Sequence, residues 1–371
     1  MSHKLSVYCI CKNEQRYLTS FLNLMLSQLQ PQDELVIVDT GSTDTSWNTL
    51  CEYKEKNARL SIYQKEFIPW KFNIARNYAQ SKIDIKNCTF ALSIDIDEIF
   101  EDPNWRSELD IILDTNPNIN QIFNEFIYDF FDVATEDQNP YEGYLNKTCY
   151  TKPALIQKVG KFHDPRCFHW RYPIHEILEE NEGVIPNIVA TKKLKLIHLQ
   201  TRKKETRNTY FKMLEDAVKE DPSDTRMQFL YAREFMNMGK DHYDRAIQEF
   251  KKYLILSEQE CTNESEYDFS GSKRDRGEAC CYIANMLEHG GKPQEEVMNQ
   301  YIYWRMRSLG ESPFSRESWF YAGIAFYRMG RKNLAREAFM MCKTFDFDTS
   351  FECDGLVWDD EHLNKYLLST V

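Results

Sequence analysis

Three acidic residues follow an apolar run in the stretch FALSIDIDEIF, residues 90–100. Asp95 and Asp97 are separated by one residue, and Glu98 comes directly after them. Two carboxylates in an Asp-x-Asp arrangement suit Mg²⁺ or Mn²⁺, because hard cations prefer oxygen ligands. Protein carboxylates commonly share such an ion with substrate phosphates, so a diphosphate is a fitting ligand. Alone the pattern is weak, since acidic triplets are common on protein surfaces.

The elements that must position these acids alternate between strand and helix. Apolar runs rich in β-branched residues predict buried strands, with helical spacing between them, at residues 4–11, 33–40, 58–67 and 88–97. This order predicts an α/β domain with a mostly parallel, Rossmann-like sheet, in which ligands bind at the carboxyl ends of the strands. Asp39 ends the second strand and Arg76 opens a helix after the third, so we expect both at the edge that carries Asp95 and Asp97.

The second half of the chain shows long helical periodicity with little strand character. The segments that begin at Phe229 and Trp319 resemble each other, since each places an aromatic-rich helix before a glycine and a second helix after it. Helical pairs with small and aromatic residues at fixed offsets are typical of tetratricopeptide-like repeats. We therefore predict an α/β domain at residues 1–205 and an all-α helical-repeat domain at residues 206–371.

Composition excludes several classes of protein. The chain has 371 residues, 42% hydrophobic and 28% charged, as in ordinary soluble globular proteins. No apolar run approaches the roughly 20 residues that a membrane span needs, and the N-terminal residues lack the small-residue cleavage site of a signal peptide. Eleven cysteines without a C-x-x-C pair indicate free thiols in a reducing compartment. We expect a cytoplasmic protein without a membrane span.

The charge distribution keeps an anionic partner open. A net charge of −12 argues mildly against nonspecific coating of nucleic acid. The segment Lys192–Arg207 nevertheless carries seven Lys or Arg residues against one Glu. This basic run is either a solvated face near the domain junction or a positive patch that faces an anionic ligand.

In their order along the chain, the motifs resemble those of family 2 glycosyltransferases with the GT-A fold. The matching stretches are SVYCICKNEQRYLTSFL, DELVIVDTGSTDTS, FNIARNYA and ALSIDIDEIF. The resemblance is closest to the branch with tetratricopeptide-like C-terminal helices. In that branch a His-Glu pair and an isolated histidine follow the Asp-x-Asp, and here they are His175-Glu176 and His198.

The resemblance implies a nucleotide pocket. Asn13 and Glu14 of the first loop, together with Asp39, would line the site of the base and ribose. Asp39 would accept a hydrogen bond from a base N–H or a ribose hydroxyl. Arg76 would lie near the nucleotide, where a guanidinium binds donor oxygens in fork geometry.

The resemblance also implies a metal-dependent donor site. Asp95 would contact ribose or metal, and Asp97 would hold Mn²⁺ or Mg²⁺ on the diphosphate of a nucleotide-diphosphate sugar, with a UDP-sugar expected. His175 or His198 would complete the metal shell or contact the diphosphate, since neutral imidazole is a good ligand. The metal would neutralise charge on the leaving nucleoside diphosphate. For His198, a lone histidine beside an apolar strand, an ordinary core role is the competing interpretation.

For an inverting transfer, a base on the opposite face of the sugar takes the acceptor's proton. Glu176 is one candidate base, and Asp164 in FHDPR is a weaker one. The loop that contains Tyr141 and Tyr144 is a candidate lid over the acceptor, with surface loop as the competing interpretation.

The sequence thus predicts an inverting, metal-dependent glycosyltransferase with a nucleotide-sugar donor. A macromolecular acceptor is attractive, because a helical array presents an extended surface; a protein, a glycan and a modified nucleobase in DNA all remain open, as does the oligomeric state. The alternative function is a non-catalytic helical-repeat binding or scaffold protein with a vestigial nucleotide-sugar domain.

Overall fold

The computed structural model describes six stretches of the chain, residues 3–131, 139–146, 153–201, 207–258, 271–344 and 360–369. The chain divides into two units, Met1–Glu205 and Thr206–Val371. In the described residues the first unit contains every strand and the second unit contains helices alone. None of the helices in these stretches has the length and apolar character that crossing a membrane requires.

The first unit is built on an eight-stranded sheet and a separate two-stranded hairpin. The sheet strands are β1 (Leu5–Cys11), β2 (Glu34–Asp39), β3 (Leu60–Gln64), β4 (Phe90–Ser93), β5 (Glu98–Phe100), β6 (Gln121–Phe131), β7 (Pro153–His163) and β10 (Ile188–Thr201). The hairpin consists of β8 (Phe168–Arg171) and β9 (Ile177–Glu180). The sheet order is β3-β2-β1-β4-β7-β6-β10-β5.

Parallel pairing dominates the half of the sheet that the sequence predicted. Strand β1 pairs in parallel with β2 and β4, and β2 pairs in parallel with β3. Beyond them β7 is antiparallel to β4 and β6, while β10 is parallel to β6 and antiparallel to β5. The predicted fold, a mostly parallel GT-A-type sheet followed by an all-α region, is confirmed.

Five helices accompany the sheet, α1 (Gln15–Gln28), α2 (Ser46–Lys56), α3 (Phe72–Gln80), α4 (Trp105–Thr115) and α5 (Pro140–Leu145). Helix α1 buries Leu18, Leu22 and Met25, three of the apolar residues whose spacing predicts it. These side chains join the core that is formed by one face of the sheet. Helix α3 packs on the hairpin strand β8 as well as on β1 and β2.

Strand β4 ends at Ser93, earlier than the sequence predicts. Ile94 and Ile96 are nevertheless buried, at 0% and 2% exposure, so the apolar residues of the pattern continue into the core. Asp95 and Asp97 therefore project from a turn between β4 and β5. The backbone N–H of Glu98 closes that turn by donating to the carbonyl of Asp95 at 3.1 Å.

The second unit contains the helices α6 (Arg207–Glu220), α7 (Thr225–Asn237), α8 (Tyr243–Leu256), α9 (Gly271–His289), α10 (Gln294–Glu311), α11 (Arg316–Arg328), α12 (Lys332–Thr344) and α13 (Asp360–Ser369). Within the polar segment 261–278, the described residues from Gly271 onward are helical and begin α9.

The two similar segments of the second unit fold alike. In each, two adjacent helices pack together, α7 with α8 and α11 with α12. The second helix of each pair buries a phenylalanine, Phe250 or Phe339, at 0% exposure. The glycine after each first helix, Gly239 or Gly330, has a positive φ, +101° or +71°, a conformation that favours glycine. The tetratricopeptide-like assignment and the functional division at residue 205 stay predictions.

A buried ion pair joins α4 to Asp33, the residue directly before β2. Arg106 of α4 donates from Nε and Nη2 to the two carboxylate oxygens of Asp33, at 2.7 and 3.0 Å. Asp33 also accepts from the backbone N–H of Leu5, the first residue of β1, at 2.9 Å. Both side chains are almost fully buried, with 3% and 0% exposure. Arg106 therefore neutralises a carboxylate that water does not reach.

We expect Arg106→Met to lower the free energy of unfolding of the first unit by about 3–5 kcal/mol, because it leaves the buried Asp33 charge uncompensated. Hydrogen exchange of peptides from β1 and α4 in rising urea measures this loss. Arg166→Met is the matched control, since Arg166 pairs with Asp164 at the surface and such pairs contribute about 0–1 kcal/mol. Equal losses in the two variants would contradict the assignment.

Candidate active site

The carboxyl ends of β1, β2 and β4 meet at one edge of the sheet. Parallel pairing places Cys11, the last residue of β1, opposite Asp39, the last residue of β2. Asn13 and Glu14 follow β1, and Asp95 and Asp97 follow β4. The structure therefore brings these five residues, Asn13, Glu14, Asp39, Asp95 and Asp97, to one edge of the sheet.

Hydrogen bonds fasten the loops after β1 and β2 to each other. Asn13 Oδ1 accepts from the backbone N–H of Thr43 at 2.7 Å, and the Asn13 N–H donates to Ser42 Oγ at 2.9 Å. The N–H of Glu14 donates to Ser46 Oγ at 2.9 Å. Asn13 adopts a left-handed conformation, with φ +57°, to make these contacts. The two loops form one continuous wall beside Asp39.

Asp39 is fully buried and has one oxygen without a partner. Its Oδ1 accepts from the N–H groups of Gly41 and Ser42 at 3.1 Å each, and from Gln64 Nε2 at 3.3 Å. Its Oδ2 is buried and makes no hydrogen bond. An unsatisfied buried acceptor costs about 1–3 kcal/mol, so a ligand N–H or O–H that reaches Oδ2 would gain this energy.

A single guanidinium joins two acidic residues from different parts of the site. Arg76 Nε donates to Glu176 Oε1 at 2.5 Å, and Nη2 lies 2.9 Å from Asp95 Oδ1. Nη1 donates to Ser93 Oγ at 3.3 Å, and the guanidinium lies over the ring of Trp170. Burial opposes the charge of Arg76, but the two carboxylates outweigh burial and raise its pKa. The sequence assigned Arg76 to donor oxygens, whereas the structure pairs its guanidinium with Asp95 and Glu176.

Asp95 remains charged because two cations, Arg76 and Lys161, lie beside it. Burial by itself raises the pKa of Asp95, but Arg76 and then Lys161 outweigh it and hold that pKa well below its usual range. The side chain of Asp95 is 31% exposed. Asp95 is therefore the anion that lies between two cations, Arg76 and Lys161.

Helix α3 holds the hairpin that carries Glu176. The Asn77 side chain donates from Nδ2 to the Trp170 carbonyl and accepts from the Trp170 N–H, both at 2.8 Å. The N–H of Phe72 donates to the carbonyl of Pro173 at 2.9 Å. Together with Arg76 these contacts fix the hairpin loop from one helix, so the position of Glu176 depends on α3.

The hairpin loop itself contains strained backbone. Tyr172 and His175 have positive φ values, +73° and +50°, which cost about 1–3 kcal/mol each for residues other than glycine. His175 is exposed, whereas its neighbour Glu176 is half-buried against Arg76. The structure thus places the two residues of the His-Glu pair in different surroundings.

His198 is paired with Asp97. His198 lies on β10 opposite Glu98 of β5, and its Nε2 is 2.8 Å from Asp97 Oδ2. Burial lowers the pKa of His198, but the charges of Asp97, Glu98 and Asp95 outweigh burial and raise it. The side chains of His198 and Asp97 are 17% and 29% exposed, so both remain accessible from the edge of the sheet.

The pKa of Glu14 reflects its burial and the negative charge at this edge of the sheet. Burial raises its pKa to about 8, and the charges of Asp97, Asp95 and Asp44 act in the same direction. A bound cation would relieve this repulsion. In the described part of the chain, no three or more His, Cys, Asp or Glu side chains are grouped to hold a metal alone. Asp97 and His198 fit a divalent ion whose remaining ligands come from substrate.

Two further residues shape the acidic turn: Lys161, which the motifs do not indicate, and Tyr141, which the sequence assigned to a lid. Lys161 of β7 pairs with Glu98 and lies 3.4 Å from Asp95 Oδ2. The Tyr141 hydroxyl lies 2.8 and 2.7 Å from the carbonyls of Ile96 and Glu98 and donates to them. Tyr141 belongs to the predicted lid, yet it is 1% exposed. The sequence offers only an indirect signal for Lys161: a glutamate buried directly after the acidic pair favours a nearby cation, but does not say which one.

Asp164, the weaker candidate base, is not brought to the site, which corrects the expectation. Strand β7 is antiparallel to β4 and pairs His163 with Ala91, so its carboxyl end lies at the opposite edge of the sheet. There Asp164 accepts from Arg166 Nε and Nη2 at 2.7 and 2.8 Å. Its backbone N–H donates to the carbonyl of Asn120 at 2.8 Å.

The described part of the basic run is largely neutralised. Lys193 pairs with Glu108 at 2.5 Å, and Lys195 lies 2.9 Å from Glu101 and 3.6 Å from Glu125. Residues 202–206, which contain three further cations, lie outside the described residues. Strand β10 therefore offers less free positive charge than its sequence suggests.

Comparison with protein families agrees with this fold. Residues 6–170, somewhat under half of the chain, match the model of Glycosyl transferase family 2. The chain is similar to that family over these residues, and the match supports glycosyltransferase activity. The resemblance that the motifs indicated is thereby confirmed. The matched region ends within β8, before Glu176 and His198.

Similar solved structures are distant. One is S. aureus TarS 1–349 in complex with UDP, with 13% identity and a TM-score of 0.38, over 88% of this chain and 92% of that chain. Another is MamA, with 15% identity and a TM-score of 0.29, over 44% of this chain and 84% of that chain. These TM-scores are too low to carry an argument. Comparison with curated proteins gives no match.

The raised pKa of Glu14 predicts a pH-dependent stability. The folded chain keeps this proton up to a pH of about 8, whereas the unfolded chain loses it near pH 4.3. The folded state thus binds more protons in this window, so this residue's contribution to the unfolding free energy falls as pH rises. We expect Glu14→Gln to gain on the order of 2 kcal/mol over the wild type between pH 5 and pH 8.

Urea unfolding read by pulse proteolysis, with a chelator present, measures this difference. Glu55→Gln, which changes an exposed glutamate of α2, is the matched control and should follow the wild type at both pH values. A constant difference between Glu14→Gln and the wild type across this range would contradict the assigned charge state.

Proposed function

We propose that the protein is an inverting, metal-dependent glycosyltransferase that transfers a sugar from a UDP-sugar to a macromolecular acceptor. The observation that carries the proposal is the Arg76 guanidinium, which fixes Asp95 and Glu176 beside the Asp97–His198 pair. Arg76 thereby links a candidate base to the turn that carries Asp95 and Asp97. Such a link would support a displacement in which the base and the leaving group take part together.

The base of the nucleotide would bind beside Asp39. Its buried Oδ2 is an acceptor without a partner, and the imide N–H of uracil is a matching donor. The fastened loops at Asn13 and Glu14 would form the wall against the base and ribose. Binding therefore would need little rearrangement of these loops.

The diphosphate would lie at Asp97 and His198. These two side chains would hold Mn²⁺ or Mg²⁺ and leave the other positions to phosphate oxygens. When bound, the ion supplies positive charge that stabilises the leaving nucleoside diphosphate. Asp97 and His198 orient each other at 2.8 Å, so both would be in place before donor arrives.

Glu176 would act as the general base. Its Oε1 is occupied by Arg76, which leaves Oε2 to take a proton from the acceptor. The acceptor heteroatom would then bond to the anomeric carbon, and the bond from that carbon to the diphosphate oxygen would break. The electron pair leaves with UDP, and the proton remains on Glu176. Attack opposite the leaving group inverts the anomeric centre.

The acceptor would be held by the helical unit. Helical arrays present extended surfaces that suit a peptide or a glycan. DNA is the less favoured acceptor, because Lys193 and Lys195, two of the three described lysines of the basic run, are paired with acids. A vestigial donor domain, the non-catalytic alternative, is disfavoured since Asp39, Asp97 and Glu176 are all present and positioned.

We expect Asp97→Asn to weaken Mn²⁺-dependent UDP binding by at least about 10-fold, because the charged ligand beside His198 is lost. Isothermal titration with UDP, with and without Mn²⁺, measures it without knowledge of the acceptor. Asp164→Asn, at the opposite edge of the sheet, is the matched control and should bind like the wild type. An unchanged UDP affinity of Asp97→Asn in Mn²⁺ would contradict the assignment of Asp97 to the metal.

Glu176→Gln should retain UDP binding but slow UDP release from a panel of UDP-sugars by about 10²–10⁴-fold, because proton transfer is lost while the Arg76 contact persists as a hydrogen bond. Glu179→Gln, in the same hairpin, is the control for folding of the loop. A variant Glu176→Gln that turns over at the wild-type rate would remove this residue from the mechanism.

A further inference from the structure

Lys161 is a buried cation whose side chain contacts the acidic turn and an aromatic ring of the core. Its side chain is 14% exposed, and Nζ pairs with Glu98 and lies 3.4 Å from Asp95 Oδ2. The ammonium also lies 4.9 Å from the centre of the Phe126 ring, a favourable cation–π distance. Lys161 comes from β7, a strand that neither the motifs nor the mechanism above use.

Glu98 is the group through which Lys161 reaches the turn. Its side chain is 2% exposed, and its Oε2 accepts from the backbone N–H of Asp95 at 2.9 Å. The Glu98 N–H in turn donates to the carbonyl of Asp95 at 3.1 Å. These two bonds close the turn from both ends, with Asp97 between them. The conformation of Asp97 therefore depends on a Glu98 side chain that points inward.

A carboxylate this deeply buried needs a cation. Arg76 lies on the far side of Asp95, and its described hydrogen bonds go to Asp95, Ser93 and Glu176. The cation that contacts Glu98 in the described residues is Lys161. Without it, the buried Glu98 carboxylate would lose its cationic partner and turn toward water, which breaks its bond to the Asp95 N–H.

We propose that Lys161 is a positioning residue of the donor site: it neutralises Glu98 and thereby fixes the turn that directs Asp97 toward His198. This role rests on the proposed function, because it assumes that the site binds a nucleotide-sugar donor. The contacts that carry it are those of Lys161 and Glu98 with the turn between β4 and β5. Lys161 acts through Glu98 and does not touch the donor. A lysine engaged by two carboxylates and an aromatic ring has little freedom to reach a diphosphate.

A double-mutant cycle separates these roles. Lys161→Met removes the cation, and Glu98→Gln removes the charge it neutralises while keeping an acceptor for the Asp95 N–H. We expect Lys161→Met to weaken UDP binding in Mn²⁺ by about 10-fold and to lower the melting temperature of the ligand-free protein by several degrees. The double variant should recover most of both losses, because no buried charge is left unpaired.

Lys158→Met, an exposed lysine of the same strand, is the matched control and should leave both measurements unchanged. A double variant that binds UDP as weakly as Lys161→Met would overturn the proposal and make Lys161 a donor contact. Wild-type affinity in Lys161→Met would overturn it as well.

Failure of the proposed function gives a different result. A wild-type protein that does not bind UDP in Mn²⁺ would contradict the donor assignment. The melting temperatures of the ligand-free variants would then decide the inference alone, since recovery in the double variant supports Lys161 acting through Glu98, and additive losses contradict it.

Discussion

The site depends on one buried guanidinium that is shared by two carboxylates. Arg76 is 8% exposed, and a cation so placed is stable only where its donors meet matched acceptors. Those acceptors come from the turn after β4 and from the hairpin that follows β7. Helix α3 must therefore lie against both, which explains why Asn77 and Phe72 also bond to the hairpin. The distance between the donor edge and Glu176 is a consequence of this one interaction.

The remaining charges of the site are arranged around this pair. Lys161 compensates Glu98, and His198 compensates part of Asp97. Glu14 has no cation in contact with it in the described residues, and burial together with the charges of Asp97 and Asp95 raises its pKa. The negative charge that the protein leaves partly uncompensated is thus centred on Asp97, beside a Glu14 that keeps its proton up to a pH of about 8. A divalent cation bound there would complete the balance.

Much of this arrangement follows from local sequence. Apolar runs predicted strands β1 to β4, and parallel pairing then required Asp39, Asp95 and Asp97 to share an edge. The partner of Arg76 was not predictable in this way, because Glu176 lies 100 positions further along the chain. The sequence pattern also does not show that β7 runs antiparallel to β4. That direction carries Asp164 to the wrong edge and brings Lys161 to the acidic turn.

The most direct test of this account is a crystal structure of the protein with UDP and Mn²⁺. It should show Asp97 and His198 about 2.1 Å from the metal, the uracil on Asp39, and Arg76 still between Asp95 and Glu176. An Arg76 side chain that has left Glu176 and binds the diphosphate would contradict the central claim that this arginine positions the base.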